Sequence, residues 1–147
     1  MKSKNGDGGL AASKAFTITK RVRLADTDAT GALYFGAYGR IVEIAEVEFL
    51  RSVGFAPATL AGRGIIFTRV HAEFDFFKPV LVDDLLELHI VVAGVGVHSV
   101  RFAFDITRDG ALVAEATLVS ACVDTARKSI ALPSDIAAIL RSHQRET

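Results

Sequence analysis

Two aspartates two residues apart, Asp26 and Asp28, open the stretch of this chain best equipped for chemistry. It reads Leu24-Ala25-Asp26-Thr27-Asp28-Ala29-Thr30-Gly31-Ala32-Leu33-Tyr34-Phe35-Gly36-Ala37-Tyr38 and leads into a helical pattern. An aspartate has a reference pKa of about 3.9, so either carboxylate is ionised at neutral pH and can act as base or nucleophile untuned. The first N–H groups of the following helix lack intrahelical acceptors and can polarise a carbonyl oxygen. Gly31 and Gly36 let a ligand approach the backbone closely. An anionic base beside such a helix mouth suits attack on an activated carbonyl. The plainer alternative is that Asp26 or Asp28 only organises an Asx turn. Spacing alone does not choose between them.

The elements that must hold this loop follow from periodicity. Ala15 to Leu24 alternates as a strand, with Phe16, Ile18, Val22 and Leu24 on one parity; Lys20 falls on that same parity, which signals an irregularity. From Tyr38 the period changes: Tyr38, Ile41, Val42, Ala45, Phe49 and Val53 form a helical stripe. Gly54 and then Pro57 end it as a C-cap and a breaker would, and Ala58 to Gly62 forms a further short turn. The second half reads as strands over Ile65–Lys78, Asp84–Val95, Val97–Arg108 and Ala111–Asp124. Gly94 and Gly96 mark a bulge or turn, and Asp109-Gly110 is a two-residue hairpin signal. Pro133 to Ser142 closes the chain as a short helix. The order predicts an α+β fold with one long helix laid on a curved antiparallel sheet of about five strands.

With those elements in place, the segment DTDATGALYFGAYGRIVEIAEVEFLRSVG resembles the signature of the hotdog-fold acyl-CoA thioesterases of the 4-hydroxybenzoyl-CoA thioesterase family. The likeness continues through FKPVLVDDLLEL (Phe77 to Leu88), HSVRFAFDI (His98 to Ile106) and VDTARKSIALP (Val123 to Pro133), in the family's order. It implies a hotdog fold, in which the sheet wraps the long helix and two subunits pair their sheets edge to edge. It assigns Asp28, the second Asp of the DxD pattern, as nucleophile or general base on a thioester. It assigns the backbone N–H of Phe35, with that of Gly36 beside it, to the thioester oxygen. Gly31, Tyr34 and Tyr38 would shape the pocket. Lys78, His98, Ser99, Arg127 and Lys128 would meet the nucleotide and pantetheine of coenzyme A, which enters as substrate and not as a separate cofactor. The chain departs from the family pattern at Phe35, where His or Tyr is common, at Ala37, where Asn is common, and at Glu46, where a basic residue is usual.

Composition narrows the alternatives. The 147 residues are enough for one domain with its own core. Half of them are hydrophobic and the mean hydropathy is +0.35, so a homo-oligomer, a dimer or tetramer, is expected to cover the surplus apolar surface. Lys plus Arg and Asp plus Glu balance at 17 each, which argues against a nucleic-acid or membrane-surface binder. Charged residues interrupt every apolar run before it reaches a span's length of roughly 18 residues. Residues 1–14 carry no secretory pattern and read as a flexible tail ahead of a domain at 15–147, and a cytoplasmic protein is expected.

The other reactive side chains read blandly. The lone cysteine, Cys122, sits in a core-strand sequence beside Ser120, and neither has a cue for a histidine partner. His71, His89, His98 and His143 lack metal-ligand spacing, so no metal is expected. Two functions remain: a thioesterase that hydrolyses an acyl-coenzyme A, and a non-catalytic hotdog protein that binds acyl thioesters or aromatic acids. A hotdog dehydratase fits less well, because no histidine-bearing motif precedes the helix.

Overall fold

The computed structural model describes residues 15–145, and the tail expected at 1–14 lies outside them. Strand β1 (Phe16–Arg21) is followed by a single 3₁₀ turn at Leu24–Asp26, the loop of interest, and the long helix α1 (Ala37–Ser52). A short helix α2 (Pro57–Gly62) leads into β2 (Ile66–Phe76), β3 (Leu85–Val95), β4 (Ser99–Arg108) and β5 (Ala111–Val123), and α3 (Ser134–Ser142) ends the chain. The sheet is wholly antiparallel in the order β1-β3-β4-β5-β2, so β1 and β2 are its two edges.

Each element forms where local chemistry directs it. Helix α1 buries the stripe Tyr38, Ile41, Val42, Ala45 and Phe49 against the sheet. Gly54, at φ +98°, takes the left-handed conformation that ends a helix, and Pro57 starts α2 at its first turn. The Asp109-Gly110 hairpin turn has both residues at positive φ, +52° and +81°. On the sheet, Leu86, Leu88, Ile90, Phe102, Phe104 and Ile106 face the helix, and the Phe49 ring meets Phe16 and Phe102 edge to face at 5.9 Å.

Two expectations need correction. Strand β1 pairs with β3 in unbroken register from Phe16 to Arg21, without the irregularity inferred from Lys20. Lys20 does stand on the apolar parity, and its ammonium lies 3.4 Å from the Asp26 carboxylate, so an ion pair and not a backbone defect accommodates it. The strand also stops at Arg21, because Leu24–Asp26 coils into the 3₁₀ turn. The sheet carries register shifts elsewhere: one residue is extra at Val70 in β2, one at Ala93 beside the expected Gly94, and one at Val113 in β5.

Candidate active site

The two aspartates of the loop sit in different surroundings. Asp26 is buried, and both its carboxylate oxygens are held. Oδ2 accepts the Arg23 N–H at 2.9 Å and lies near Lys20, while Oδ1 accepts from Arg40 Nη2 on α1 at 3.0 Å. Its carbonyl accepts the Tyr34 N–H at 2.9 Å. Burial raises the Asp26 pKa, but the Arg23 N–H and the two cations outweigh it and hold the carboxyl below its ordinary value. Asp26 is thus the brace that joins the loop to strand and helix.

Asp28 is exposed. Its Oδ1 accepts both the Thr30 hydroxyl at 2.6 Å and the Thr30 N–H at 2.8 Å, and these bonds lower its pKa. The Asx-turn reading is therefore correct as geometry, yet it occupies only one oxygen. The Ala32 N–H also draws on the carboxylate and adds to the lowering. An ionised, exposed carboxylate held in one orientation by its own loop is the arrangement a base or nucleophile needs. Thr30, two residues on, is the orienting group that the loop sequence displayed and the sequence reading passed over.

The loop closes on itself as a narrow hairpin, with Thr27 bridging Leu33 and the Asp28 N–H donating to the Ala32 carbonyl at 2.8 Å. Gly31 turns it at φ +82°. It delivers the chain to the mouth of α1, where Gly36 is the N-cap. The Ala37 N–H donates to Tyr34 and the Tyr38 N–H to Phe35, whereas the Phe35 and Gly36 N–H groups donate to no carbonyl among the described residues. The Tyr34 ring folds back over Gly36, where any side chain would collide with it.

Beside this mouth lies a cleft of about 330 Å³ lined by Ala32, Leu33, Phe35, Tyr38 and the run from Phe76 to Val80. Tyr38 forms its floor. The Tyr38 ring centroid is 4.9 Å from that of Phe76 and 6.3 Å from that of Phe74, and burial pushes its phenol up to about 12 against the pull of Arg108. Lys78 stands exposed at the rim. Apolar side chains remain open to solvent around the mouth, chief among them Phe35 at 67% and Phe76 at 49% exposure.

The structure brings together Phe35, Gly36, Tyr34, Tyr38 and Lys78, with Asp28 and Gly31 on the adjoining loop. It does not bring the other cation candidates to the cleft within one chain. His98 and Ser99 sit where β4 begins, and the His98 carbonyl accepts the Cys122 N–H at the end of β5. Arg127, at φ +66°, and Lys128 project from a turn that the Asp124 carboxylate ties by accepting two N–H groups. The cleft, by contrast, adjoins Ala114, the partner of Phe76. Eight residues of strand separate Ala114 from Cys122, roughly 26 Å. Cys122 is buried and its thiol pushed up, as a core position requires. Ser120 donates to Glu46 at 2.5 Å and has no histidine partner among the described residues.

Comparison with known proteins agrees with this architecture. A solved protein of undetermined function from Aquifex aeolicus superposes with a TM-score of 0.81 at 27% identity, over 85% of this chain and 98% of that one. A 1,4-dihydroxy-2-naphthoyl-CoA thioesterase from Synechocystis superposes with a TM-score of 0.79 at 26% identity, over 86% and 96%. The fold is the hotdog of the thioesterases. The chain is 31% identical over 120 residues to an acyl-CoA thioester hydrolase of Escherichia coli, covering 80% of this chain and 90% of that protein. It is 29% identical to a 1,4-dihydroxy-2-naphthoyl-CoA hydrolase of Nostoc punctiforme over 90% of both. Residues 22–140 match the model of the thioesterase-like superfamily, and the chain belongs to that family: it is a thioester hydrolase by class. No helix among the described residues is long and apolar enough to cross a membrane.

Proposed function

We propose that this protein hydrolyses an acyl-coenzyme A thioester to the free acid and coenzyme A, with Asp28 carrying the attack. The observation that supports this most is the exposed Asp28 carboxylate, ionised and oriented by Thr30, on the loop that feeds two undonated N–H groups at the mouth of α1. Asp28 either adds to the thioester carbonyl itself or takes a proton from the water that does. The carbonyl oxygen becomes an oxyanion, held by the Phe35 N–H with that of Gly36 beside it and by the positive end of the helix. Collapse of the tetrahedral adduct breaks the C–S bond, and the thiolate leaves and takes up a proton. On the acyl-aspartate route a water then hydrolyses the anhydride and restores Asp28. Water and the chain's own groups balance the reaction, with no added cofactor.

The site is completed by a second copy in this reading. β2 is an open edge, and the apolar rim at Phe35 and Phe76 is exposed. Pairing β2 with its two-fold copy runs the strands antiparallel, which inverts the ends of one sheet against the other. The end that carries His98, Ser99, Arg127 and Lys128 in one subunit then lies alongside the cleft of the other. Cations there suit the phosphates of coenzyme A, and Lys78 at the rim adds one from the same chain.

A binding protein without turnover is the second reading, and one observation favours it: Asp28 is not among the residues that line the cleft of the single chain. Thiol release from a panel of acyl-coenzyme A substrates separates the two. Release that Asp28→Asn abolishes supports hydrolysis; saturable binding without any release supports the second reading.

A further inference from the structure

Glu46 is the buried charge that this mechanism leaves unused. It sits two turns into α1 with no solvent exposure, on the face toward the sheet. One oxygen accepts from Ser120 Oγ on β5 and the other from Arg69 Nη2 on β2. The Arg69 side chain keeps 37% of its surface exposed, so the pair reaches from the core to the open edge of the sheet. A charged pair in such a position is weak evidence for stability, since desolvation offsets its attraction.

What lies beside it gives the pair a use. The β2–β5 register slips between Arg69 and His71, which leaves Val70 as an extra residue that is 61% exposed. Side chains alternate with period two along a strand, so one inserted residue exchanges the faces beyond it. Before the bulge Phe67 and Arg69 face the helix, opposite Cys122 and Ser120. After it Ala72, Phe74 and Phe76 do, opposite Leu118, Ala116 and Ala114. Without the bulge His71, Glu73 and Asp75 would face Tyr38 in their place. The aromatic wall of the cleft, Phe74 and Phe76 against Tyr38, exists only because the strand changes phase at Val70.

We propose that Glu46 and Arg69 are positioning residues for the acyl side of the cleft: their ion pair anchors the last residue before the Val70 bulge to α1 and so holds Phe74 and Phe76 in phase with Tyr38. Taking this apolar cleft as the place of the acyl group rests on the thioesterase reading above. The clamp itself does not, because it predicts a change at Tyr38 that can be read without substrate.

The test uses the full chain, which has two tyrosines and no tryptophan, so phenolate absorbance reports Tyr34 and Tyr38 alone. In the parent, Tyr38 ionises at about 12. Arg69→Met is expected to free the edge strand from α1, so that water reaches the Tyr38 phenol and its ionisation comes down toward the ordinary value of about 10. It is also expected to raise KM for a bulky acyl-coenzyme A roughly tenfold while kcat on acetyl-coenzyme A stays within about twofold, since Asp28 and Phe35 lie on a different element. Leu140→Ala, in the core of α3 and away from the cleft, is the control for general loosening and leaves the Tyr38 titration in place. If Arg69→Met does not fold, Arg69→Lys keeps a cation on the Glu46 carboxylate, and an intermediate Tyr38 shift is expected. An unchanged Tyr38 ionisation in a folded Arg69 variant overturns the proposal, as does an equal shift in Leu140→Ala. Absence of thiol release in the parent would overturn the thioesterase reading and leave the titration to judge the clamp.

Discussion

Asparagine at position 26 and asparagine at position 28 are expected to give opposite phenotypes, and the contacts say why. Every partner of the Asp26 carboxylate is a donor: the Arg23 N–H, Arg40 Nη2 and the Lys20 ammonium. Asn has one acceptor oxygen, so whichever way the amide turns, its NH₂ faces a donor and at least one charge-assisted bond is lost. Such bonds are worth about 1.5–3 kcal/mol each. Arg40 is 60% exposed and recovers part of its share from water, so about 2 kcal/mol is the expected cost of Asp26→Asn. For a chain of this size that is a fall in Tm of roughly 4–8 °C. The Asp26 carbonyl also fixes the Tyr34 N–H, so a few-fold loss of rate accompanies it.

Asp28→Asn keeps its anchor, because both Thr30 donors fall on the one oxygen that Asn retains. Its Tm should stay within about 1 °C of the parent, and thiol release should fall at least roughly a hundredfold, the low end of general-base contributions. The pH dependence has a definite sign. The folded Asp26 carboxyl sits below its unfolded value, so its stabilisation is complete above about pH 4 and is lost as pH falls through the folded pKa. The Tm gap between parent and Asp26→Asn should therefore be full at pH 7 and close as the pH falls through the pKa of the folded carboxyl. Calorimetry and a thiol-release assay on the same preparations decide the matter. A normal Tm with no activity in Asp26→Asn, or near-parent turnover in Asp28→Asn, would refute the division of roles.

Three further outcomes follow from the same geometry. Thr30→Val removes the hydroxyl that lowers the Asp28 pKa, so the acid limb of kcat/KM should move to higher pH, and an unmoved limb would take Thr30 out of the site. Gly36→Ala forces the Tyr34 ring off the helix mouth and should cost less than the roughly hundredfold loss of a whole oxyanion donor, with little change in Tm; full activity would show that the ring is not part of the pocket. Light scattering at micromolar concentration should give a dimer or tetramer, and a monomer with full activity would remove the second copy from the proposed site.

Much of this was legible along the chain. The change from period two to period 3.6 at Tyr38 placed α1, Gly54 ended it, and Asp109-Gly110 set the β4–β5 turn, because local backbone chemistry controls each of these. Asp28 and Phe35 came from the order of a motif. The motif's register also set Asp26 apart from Asp28, but not what holds Asp26, which is buried against Lys20 and Arg40, one on a strand before it and one on the helix after it. Spacing in sequence carries no record of that convergence. Lys20 reads as a defect in β1 for the same reason: its partner, Asp26, lies in the turn that follows the strand.

The bulge at Val70 shows where a periodic reading must fail and why the failure falls near the site. Period two applied straight through Ile66–Phe76 places Phe67, Arg69, His71, Glu73 and Asp75 on one face, an acidic and unsuitable neighbour for a phenol. The other parity, Ile66, Thr68, Val70, Ala72, Phe74 and Phe76, is apolar at every position but one, yet it leaves Phe67 on the opposite face, so neither parity takes all three aromatic residues. A single inserted residue resolves the conflict by letting each half of the strand turn its own aromatic residues inward. That insertion needs an anchor, since a slip of one residue would restore the wrong face. Glu46 reads on the helix as a charge out of place in an apolar stripe, and Arg69 as a charge on the wrong side of a strand. Together they satisfy each other at the point where the phase changes. Two local misfits that cancel only in three dimensions are the signature of a constraint imposed from elsewhere, here the need for an aromatic wall opposite Tyr38.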